Sequence, residues 1–339
     1  MNTEPSPTTL LEAILYFSDP DVCLKTMVAL RWSDGVTCPT CGSSNVGFIA
    51  TRRLWECKEK NKHARKQFSA KIGTIFEDSP IGLDKWFAAI WLVANCKNGV
   101  SSYEVMRDLG VTQKTGWFML QRIRFAMQTG SFLKMSGQVE ADETYIGGLA
   151  RNMHKDKREK VITGTGGSGK TVVMGLLERH GFDKSQKVID TLDHDKKSKK
   201  ASRVKTAVIP NTRKKTLQSE VRTNVEAGTE LFTDELASYG GLSSEYVHQV
   251  INHAEEYVRG HVHTNGMENF WSLLKRTIKG TYVSVEPFHL FRYLDEQSFR
   301  FNERKLTDGE RFQEVLGGVV GKRLTYQQLT GKESEPSLV

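Results

Sequence analysis

Two closely spaced cysteines, Cys38 and Cys41, constrain the fold of this chain more than any other feature. A CxxC pair forms a tight knuckle that presents two thiolates to one tetrahedral metal ion, and the other two ligands must come from a second hairpin. Cys57 follows at a distance that suits such a hairpin, and His63 is the nearest remaining soft ligand. The pattern predicts a zinc ribbon over residues 36–72. A three-cysteine, one-histidine site is the preferred interpretation, and a degenerate ribbon without metal is the alternative.

The cysteine count and the net charge narrow the class of protein. The 339 residues include five cysteines, an odd number with three of them clustered, which fits a reducing compartment better than a disulfide framework. A formal net charge of +8 favours an anionic partner such as nucleic acid. No apolar run approaches the ~20 residues needed to span a bilayer, and the N-terminus lacks the pattern of a signal peptide. We therefore expect a cytoplasmic protein without a membrane partner.

A helix with one buried face is predicted from residue 265 to residue 279. Its apolar side chains recur at helical spacing; they are Met267, Phe270, Trp271, Leu274 and Ile278. Glu268 and Lys275 are seven residues apart, so they lie in line along one flank, about 10 Å apart along the axis. Two interpretations stay open at this point. The two side chains hold a metal ion and a phosphate, or Glu268 only closes a capping box with Asn265.

Two predicted strands of the region after Gly137 end in acids. GQVEADETYIGG leads to Asp142, and ELFTDELASY leads to Asp234. With Glu268 on the following helix, these acids occur in the order that a ribonuclease H-like sheet uses to bring carboxylates to one point. Phosphodiester chemistry needs such a set, because two magnesium ions about 4 Å apart require hard oxygen ligands. Three neighbouring acids are ranked lower as ligands: Glu140, Glu143 and Glu235.

Residues 80–130 contain the pattern of a helix-turn-helix. The stretch SSYEVMRDLGVTQKTGWFMLQRIRFAM predicts two helices joined by a tight Leu-Gly-Val turn. Ser101 and Glu104 form a capping box for the first helix, and Thr112 caps the second. An ordinary helical hairpin is the alternative to a DNA-binding motif. The side chains expected on the outer face of the second helix are Gln113, Lys114, Thr115, Gln121 and Arg122.

A glycine-rich stretch, GTGGSGKT at residues 164–171, matches the letters of a nucleotide-binding P-loop. A P-loop requires a strand before the glycines and a helix after the lysine, so that helical amides cradle the phosphate. The following VVMGLLERHG favours a strand instead. We therefore expect a basic loop here and no nucleotide as ligand.

Six stretches of the chain resemble insertion-sequence transposases of the DDE class, specifically the ISXO-like family with an N-terminal zinc ribbon. The resemblance extends from about residue 20 to beyond residue 320. The stretches that carry it are CPTCGS, KQFSAKIGTIFEDSPIGLDKW, VEADETYIGG, LFTDELASY, HVHTNGMENFWSLLKR and FRYLDEQSFRFNER.

The resemblance implies a set of site residues. Asp142, Asp234 and Glu268 would bind two Mg²⁺ or Mn²⁺ ions, and Lys275 is the lysine that follows the third acid by seven residues. Lys275 and Arg276 would contact DNA. Some relatives use asparagine as the third ligand, which keeps Asn265 as a lesser candidate. This chain departs from the family at the second knuckle, where Lys62-His63-Ala64 replaces the expected cysteine and leaves the fourth zinc ligand open.

The fold class implied is α/β, with a ribonuclease H-like mixed-sheet catalytic domain preceded by a zinc ribbon and a helix-turn-helix. The expected boundaries are an N-terminal helical segment at 1–35, the ribbon at 36–72, the helix-turn-helix region at 80–130, the catalytic domain at 137–305 and a C-terminal tail at 306–339.

The function implied is DNA transposition. The enzyme would bind the inverted repeats of its element, cut at the ends and join the 3′ ends to target DNA, as a dimer or higher oligomer near the bacterial nucleoid. The loops at 150–160 and 194–205 would contact phosphates. The alternative is a zinc-ribbon and helix-turn-helix regulator whose catalytic core is inactive.

Overall fold

The computed structural model describes residues 6–60, 62–128, 133–148, 155–156, 159, 169–179, 201–234, 236–251 and 263–332. The chain forms two compact units, one made of residues 1–129 with 306–339 and the other of residues 130–305. Within the described ranges, no helix is both long enough and apolar enough to cross a lipid bilayer.

The first unit combines a small antiparallel sheet with seven helices among its described residues. The strands β1 to β3 lie in sequence order in the sheet, and each neighbouring pair is antiparallel. The elements are α1 (Leu10–Tyr16), α2 (Pro20–Arg31), β1 (Val46–Ile49), β2 (Leu54–Cys57), β3 (Gln67–Phe68), α3 (Leu83–Asn95), α4 (Ser102–Leu109), α5 (Gln113–Met127), α9 (Asp308–Gly317) and α10 (Tyr326–Leu329).

The C-terminal segment belongs to the core of this first unit. Phe312 on α9 lies between Phe17 and Trp91, with ring centroids 5.6 Å and 5.2 Å apart, and it also contacts Phe87. Lys322 donates to three backbone carbonyls at the end of α5. The sequence assigned residues 306–339 to a separate tail, whereas burial of Phe312 draws this segment back into the N-terminal unit.

The predicted pair of helices is present at α4 and α5, joined by a turn at Gly110. Ser101 and Glu104 form the expected capping box, and Thr112 accepts from the amide of Thr115. Gly110 has φ of 59°, a left-handed conformation that favours glycine. These local predictions are confirmed.

The second half of α5 is core, which corrects two of the predicted outer-face residues. Gln121 and Arg122 are 0% and 3% exposed. Arg122 donates to the backbone carbonyls of Ile75, Glu77 and Leu324, so its role is to tie segments together. Helical periodicity alone did not reveal this because α9 and the C-terminal segment, which contribute to the core around α5, are distant in sequence.

The second unit is a five-stranded mixed sheet with three helices among its described residues. The strand order is β6-β5-β4-β7-β8; β5 is antiparallel to both β4 and β6, and β7 is parallel to both β4 and β8. The elements are β4 (Gln138–Ile146), β5 (Thr171–Arg179), β6 (Arg203–Ile209), α6 (Lys214–Asn224), β7 (Glu230–Asp234), β8 (Val247–Ile251), α7 (Asn265–Thr277) and α8 (Leu290–Asn302).

The apolar stripe of α7 packs on one face of this sheet, as the sequence predicted. Its members are buried together with Val173 and Leu177 of β5. Gly175 of β5 allows the close contact, because a Cβ there would lie 2.1 Å from Met267 Cε and 2.7 Å from Trp271. The opposite face of the sheet forms a second core with α6, which includes Val139, Ala141, Leu217 and Tyr239.

Strands β5 and β4 bear on two predictions, the strand after Lys170 and the strand end at Asp142. The segment after Lys170 is the strand β5, so the inverted context of the P-loop letters is confirmed at Thr171, while residues 164–168 lie outside the described part of the chain. Asp142 does not end its strand, because β4 continues to Ile146 through pairing with β5. The sequence predicts a strand end at these acids, whereas pairing with β5 supports four more residues of β4.

Candidate active site

Three carboxylates gather where β4 passes the end of β7. Ligand oxygens of Asp142, Glu143 and Asp234 all lie within 4.8 Å of one another. The parallel pairing of β4 and β7 explains why Asp142 approaches Asp234. The paired residues run from Gln138 with Glu230 to Glu140 with Phe232, so continuing this register by two residues places Asp142 beside Asp234. Carboxylate oxygens are the donors that Mg²⁺ and Mn²⁺ prefer, so the cluster fits a divalent cation.

Both oxygens of Asp142 accept hydrogen bonds. The backbone N–H of Glu143 donates to Oδ1 at 2.8 Å, and the indole Nε1 of Trp271 donates to Oδ2 at 3.0 Å. Burial raises the pKa of Asp142 to about 6; the charges of Asp234 and Glu268 add to the rise, and the two hydrogen bonds oppose it. Trp271 thus joins the core of α7 to the carboxylate cluster.

Glu143 is held by Tyr239, which the sequence had not singled out. The Tyr239 hydroxyl donates to Oε1 of Glu143, and the tyrosine is 1% exposed. Burial raises the pKa of Glu143 to about 8, together with the charges of Asp234 and Asp142 and against the hydrogen bond from Tyr239. The sequence ranked Glu143 below the triad, but its geometry puts it in the cluster. In the sequence, only its position next to Asp142 marks Glu143 as a possible ligand.

Glu268 and Lys275 lie on α7, and Glu268 is close enough to Asp142 for its charge to act on that carboxyl, although it does not belong to the group of three carboxylates. Glu268 is exposed in the first turn, and its charge contributes to the raised pKa of Asp142. The alternative interpretation, a capping box between Asn265 and Glu268, is not supported, because Thr264 is the N-cap residue and the helix has no side-chain cap hydrogen bond. Asn265 is the first helical residue, so capping no longer explains the presence of Glu268.

The first turn of α7 is instead fastened by an acid on the sheet. Glu140 Oε2 accepts from the backbone N–H of Met267 at 2.8 Å, and its Oε1 pairs with Arg179 at 2.6 Å. Arg179 also donates to the carbonyl of His263 and lies over the ring of Phe232. Glu140 therefore positions the helix that carries Glu268, and its buried ion pair leaves it unsuited to be a metal ligand.

Gly266 permits this fastening. A Cβ at Gly266 would lie 2.8 Å from one oxygen of Glu140, so any larger residue would push the carboxylate away from the helix. In the sequence TNGMEN, Gly266 therefore allows the close approach of the helix to Glu140, and Glu268 lies on the exposed flank of the helix. Glu235, the remaining acid of lower rank, lies outside the described residues.

The predicted zinc ligands come together in the first unit. Ligand atoms of Cys38, Cys41, Cys57 and His63 lie within 4.8 Å of one another. His63 Nε2 is 3.4 Å from Cys38 Sγ, while its Nδ1 is 2.7 Å from the carbonyl of Arg65. An imidazole fixed in this way through one nitrogen presents the other to a metal. The donor set of three sulfurs and one nitrogen fits zinc.

The surroundings of Cys38 also favour ionisation of its thiol. Burial opposes ionisation of Cys38, but hydrogen bonds from the amides of Cys41 and Thr40 and from neighbouring thiols lower its pKa to about 7. A thiolate is the form that binds metal. The other two cysteines stand outside the cluster; Cys23 is buried and Cys96 is half-buried.

The remaining predicted DNA contacts differ in their surroundings. Gln113 donates to the Ser102 hydroxyl, Lys114 is exposed over the ring of Tyr326, and Thr115 bonds with Thr112. Arg276 is exposed and Lys275 half-buried on α7. Of the loops expected to contact phosphates, most of 150–160 and residues 194–200 lie outside the described ranges.

Comparison with known proteins gives two family matches and one relative. A family model described as an ISXO2-like transposase domain matches residues 134–302, and one described as a transposase zinc-ribbon domain matches residues 18–63, ending at the fourth member of the cysteine–histidine cluster. The chain is also similar to an uncharacterized protein in transposable element ISH50 of Halobacterium salinarum, at 25% identity over 262 residues, or 74% of this chain and 80% of the relative. Because that organism is an archaeon, the similarity extends beyond the bacterial source expected from the sequence.

Proposed function

This chain belongs to the ISXO2-like transposase family, and we propose that it cuts DNA at the ends of its own element and joins the freed ends to target DNA. The observation that carries the proposal is the gathering of Asp142 and Asp234, with Glu143, in the domain that matches the family. Acids from two different strands meet there.

Asp142, Asp234 and Glu268 would hold the divalent cations, and Lys275 would contact the phosphate of the bound strand. When bound, a pair of Mg²⁺ or Mn²⁺ ions supplies activation of the attacking oxygen and stabilisation of the leaving oxygen. Trp271 and the Glu143 amide fix the orientation of Asp142 before substrate arrives. Glu140 fixes the first turn of α7 and so the position of Glu268.

Two successive displacements at phosphorus account for the reaction. In the first, water attacks the phosphodiester at the element end; a new P–O bond forms, the bond to the 3′ oxygen breaks, and a 3′-hydroxyl is released. In the second, that hydroxyl attacks a target phosphodiester and displaces the 3′ oxygen of the target strand. No nucleotide is consumed, since one phosphodiester bond replaces another in the second step.

The sheet supports a ribonuclease H-like assignment for the catalytic domain. Its first three strands, β4 to β6, pair antiparallel with one another, its last two, β7 and β8, run parallel to the first, and the first strand lies in the centre of the sheet. Asp142 lies on this central strand and Asp234 lies at the end of the parallel neighbour β7, so the two carboxylates are close together.

The charge of the ribbon supports DNA binding by the first unit. Residues 36–72 contain eight Lys and Arg against two Asp and Glu, which gives +6 of the formal +8 of the chain. Five of these cations are exposed around the metal cluster; they are Lys58, Lys60, Lys62, Arg65 and Lys66. Such a surface binds the phosphate backbone with steep salt dependence. Only the first turn of α5 is left to read bases, through Gln113, Lys114 and Thr115.

Zinc in the ribbon would be structural, because it would hold the knuckle and the β2–β3 region together. Pairing of two element ends implies a dimer or higher oligomer on DNA. The alternative function, a DNA-binding regulator with an inactive core, shares the ribbon but needs no carboxylate cluster. The cluster favours the enzyme.

A cleavage assay separates these two functions. Purified protein is incubated with duplex DNA carrying the end sequence of the element, with Mg²⁺, Mn²⁺ or EDTA. The transposase cuts at the end in either metal and not in EDTA, whereas a regulator binds the same DNA without cutting it.

A further inference from the structure

Glu143 is the member of the carboxylate cluster to which the proposed function gives no direct part. Its ligand oxygen lies within 4.8 Å of those of Asp142 and Asp234, whereas Glu268 is outside that group. When ionised, a fourth acid so close to the reacting centre adds to the negative charge of the cluster. The position of Glu143 therefore indicates a function within the carboxylate cluster.

Consecutive residues of a strand point to opposite faces of a sheet, so Asp142 and Glu143 would not normally share a ligand site. Asp142 faces α7, and Glu143 reaches Tyr239 on the α6 face. The pairing of β4 with β7 runs only to Glu140. Beyond that point the flank of β4 is open toward Asp234, and both side chains turn toward it.

Tyr239 gives Glu143 a defined orientation. The tyrosine is buried in the α6 core and follows β7 directly in a short turn, Ala237–Tyr239. Its hydroxyl engages Oε1 of Glu143, so Oε2 can face a cation. Carboxylates that bind metals are commonly held in this way by an outer hydrogen bond, which orients the ligating oxygen.

We infer that Glu143 is a direct ligand of the divalent cation, beside Asp142 and Asp234, and that Tyr239 is its positioning residue. The inference rests on the proposed metal-dependent function. Charge supports a part for Glu143 in addition to Glu268. Two divalent cations carry four positive charges, and the ionised side chains of Asp142, Glu143, Asp234 and Glu268 carry four negative charges. Asp142 and Glu143 would then bracket the cations from the two faces of one strand.

The test measures metal binding without DNA, so it does not depend on catalysis. Mn²⁺ is titrated calorimetrically into the zinc-loaded full-length protein, and thermal unfolding is followed with and without Mn²⁺. The variants are Glu143→Gln, Glu143→Asp and Tyr239→Phe. The matched control is Glu226→Gln, an exposed acid that lies before the start of β7, at the far end of the sheet from the cluster.

We expect Glu143→Gln to weaken Mn²⁺ binding at least about tenfold and Tyr239→Phe to weaken it about tenfold, since outer hydrogen bonds to ligands contribute on that scale. Glu143→Asp keeps the charge but is too short to reach both Tyr239 and the cation, so it stays weakened. Glu226→Gln binds like wild type. Tyr239→Phe retains the buried ring, so it decides the case if Glu143→Gln does not fold.

Two outcomes would overturn the inference in different ways. If Asp142→Asn loses Mn²⁺ while Glu143→Gln and Tyr239→Phe bind it as wild type does, the proposed function stands and the role of Glu143 is refuted. If wild type itself binds no Mn²⁺ and cuts no end DNA, both the function and the inference fail.

Discussion

Asp142 and Glu143 are buried carboxyl groups whose ionisation depends on what neutralises them. Their pKa values rise to about 6 and about 8 from ordinary values of 3.8 and 4.5, mainly through burial. A raised carboxyl pKa favours the folded state at low pH, and that contribution is lost as the pH rises through the folded-state values. A divalent cation binds the ionised form and replaces the proton.

The first prediction is therefore that Mg²⁺ stabilises the zinc-loaded protein more at pH 8 than at pH 5.5. Thermal unfolding at both pH values, with and without Mg²⁺, measures this. In Asp142→Asn the pH dependence of the Mg²⁺ effect should largely disappear. Equal stabilisation at both pH values would contradict a site built from these two carboxyl groups.

Glu268 is the residue for which catalysis and local structure make opposite forecasts. Because Thr264 is the N-cap and the side chain of Glu268 does not cap the helix, Glu268→Gln should cost less than about 1 kcal/mol of stability, the scale of a charge in the first turn. We predict that the variant folds normally and loses cleavage by at least about 100-fold, because loss of a direct ligand should cost more than the roughly 10–100-fold of an outer hydrogen-bond partner. Cleavage rate and urea unfolding together measure this.

Asn265→Ala is the control for the third ligand. It removes the side chain of the first helical residue without disturbing the cap at Thr264. If this variant is folded but inactive while Glu268→Gln still cuts, Asn265 rather than Glu268 is the third ligand.

The residues of the site were partly predictable from the sequence. Trp271 was placed correctly in the buried stripe, but its bond to Asp142 was not foreseen. A buried indole N–H needs an acceptor, so the search for one could have led to that acid. Tyr239 could not have been found, because only the turn after β7 brings its hydroxyl to Glu143.

At the scale of elements, α7 depends on the sheet beneath its first turn. Glu140 and Arg179 have side chains 1% and 9% exposed, and they form an ion pair that also satisfies the amide of Met267. Removal of one partner of a buried pair leaves the other charge buried, which typically costs about 3–5 kcal/mol.

We predict that Arg179→Met destabilises the protein by about this amount, measured by urea unfolding. Adding Glu140→Gln to it should cost less than the sum of the two single changes. The control is Arg222→Met, which removes an exposed pair with Glu245 and should destabilise the protein far less than Arg179→Met. Equal effects of Arg179→Met and Arg222→Met would show that the buried pair does not hold α7.

The zinc ribbon is the element whose fold depends most on its ligands. A three-stranded sheet of this size buries little apolar surface, so a bound zinc ion would supply much of its folding free energy. Metal analysis of the purified protein should find one zinc ion per chain. We predict that His63→Ala loses zinc, and that His63→Cys retains it, because thiolate is an equally good ligand.

Cys96→Ser is the matched control, since Cys96 lies outside the cluster. It should keep the zinc of wild type. Full occupancy in His63→Ala would place the fourth ligand elsewhere.

Elements were predictable where periodicity was local. The stripe of α7, the caps of α4 and α5 and the strand after Lys170 follow from neighbouring residues. The length of β4 and the burial of Gln121 and Arg122 could not be predicted, because each depends on a partner that is remote in sequence. β5 extends β4 past Asp142, and the C-terminal segment accepts a hydrogen bond from Arg122 at Leu324.

At the scale of the whole molecule, the two units carry different candidate sites. The first unit carries the cysteine–histidine cluster and the basic ribbon, and it is closed by the C-terminal segment through Phe312. The second unit carries the carboxylates. The sequence predicted a zinc ribbon followed by a mixed-sheet domain, but the return of the C-terminus required knowledge of which aromatic residues meet.

The central claim is that the Asp142 and Asp234 cluster performs phosphoryl transfer on DNA ends. The most direct measurement uses an end duplex that already carries a free 3′-hydroxyl and a supercoiled plasmid as target, with Mg²⁺ and zinc-loaded protein. Joined product is followed on a gel, and end binding is measured in parallel. We predict that wild type joins the end to the plasmid, and that Asp142→Asn and Asp234→Asn bind the end with similar affinity but form no joined product. Joining by either variant at a sizeable fraction of the wild-type rate would contradict the account.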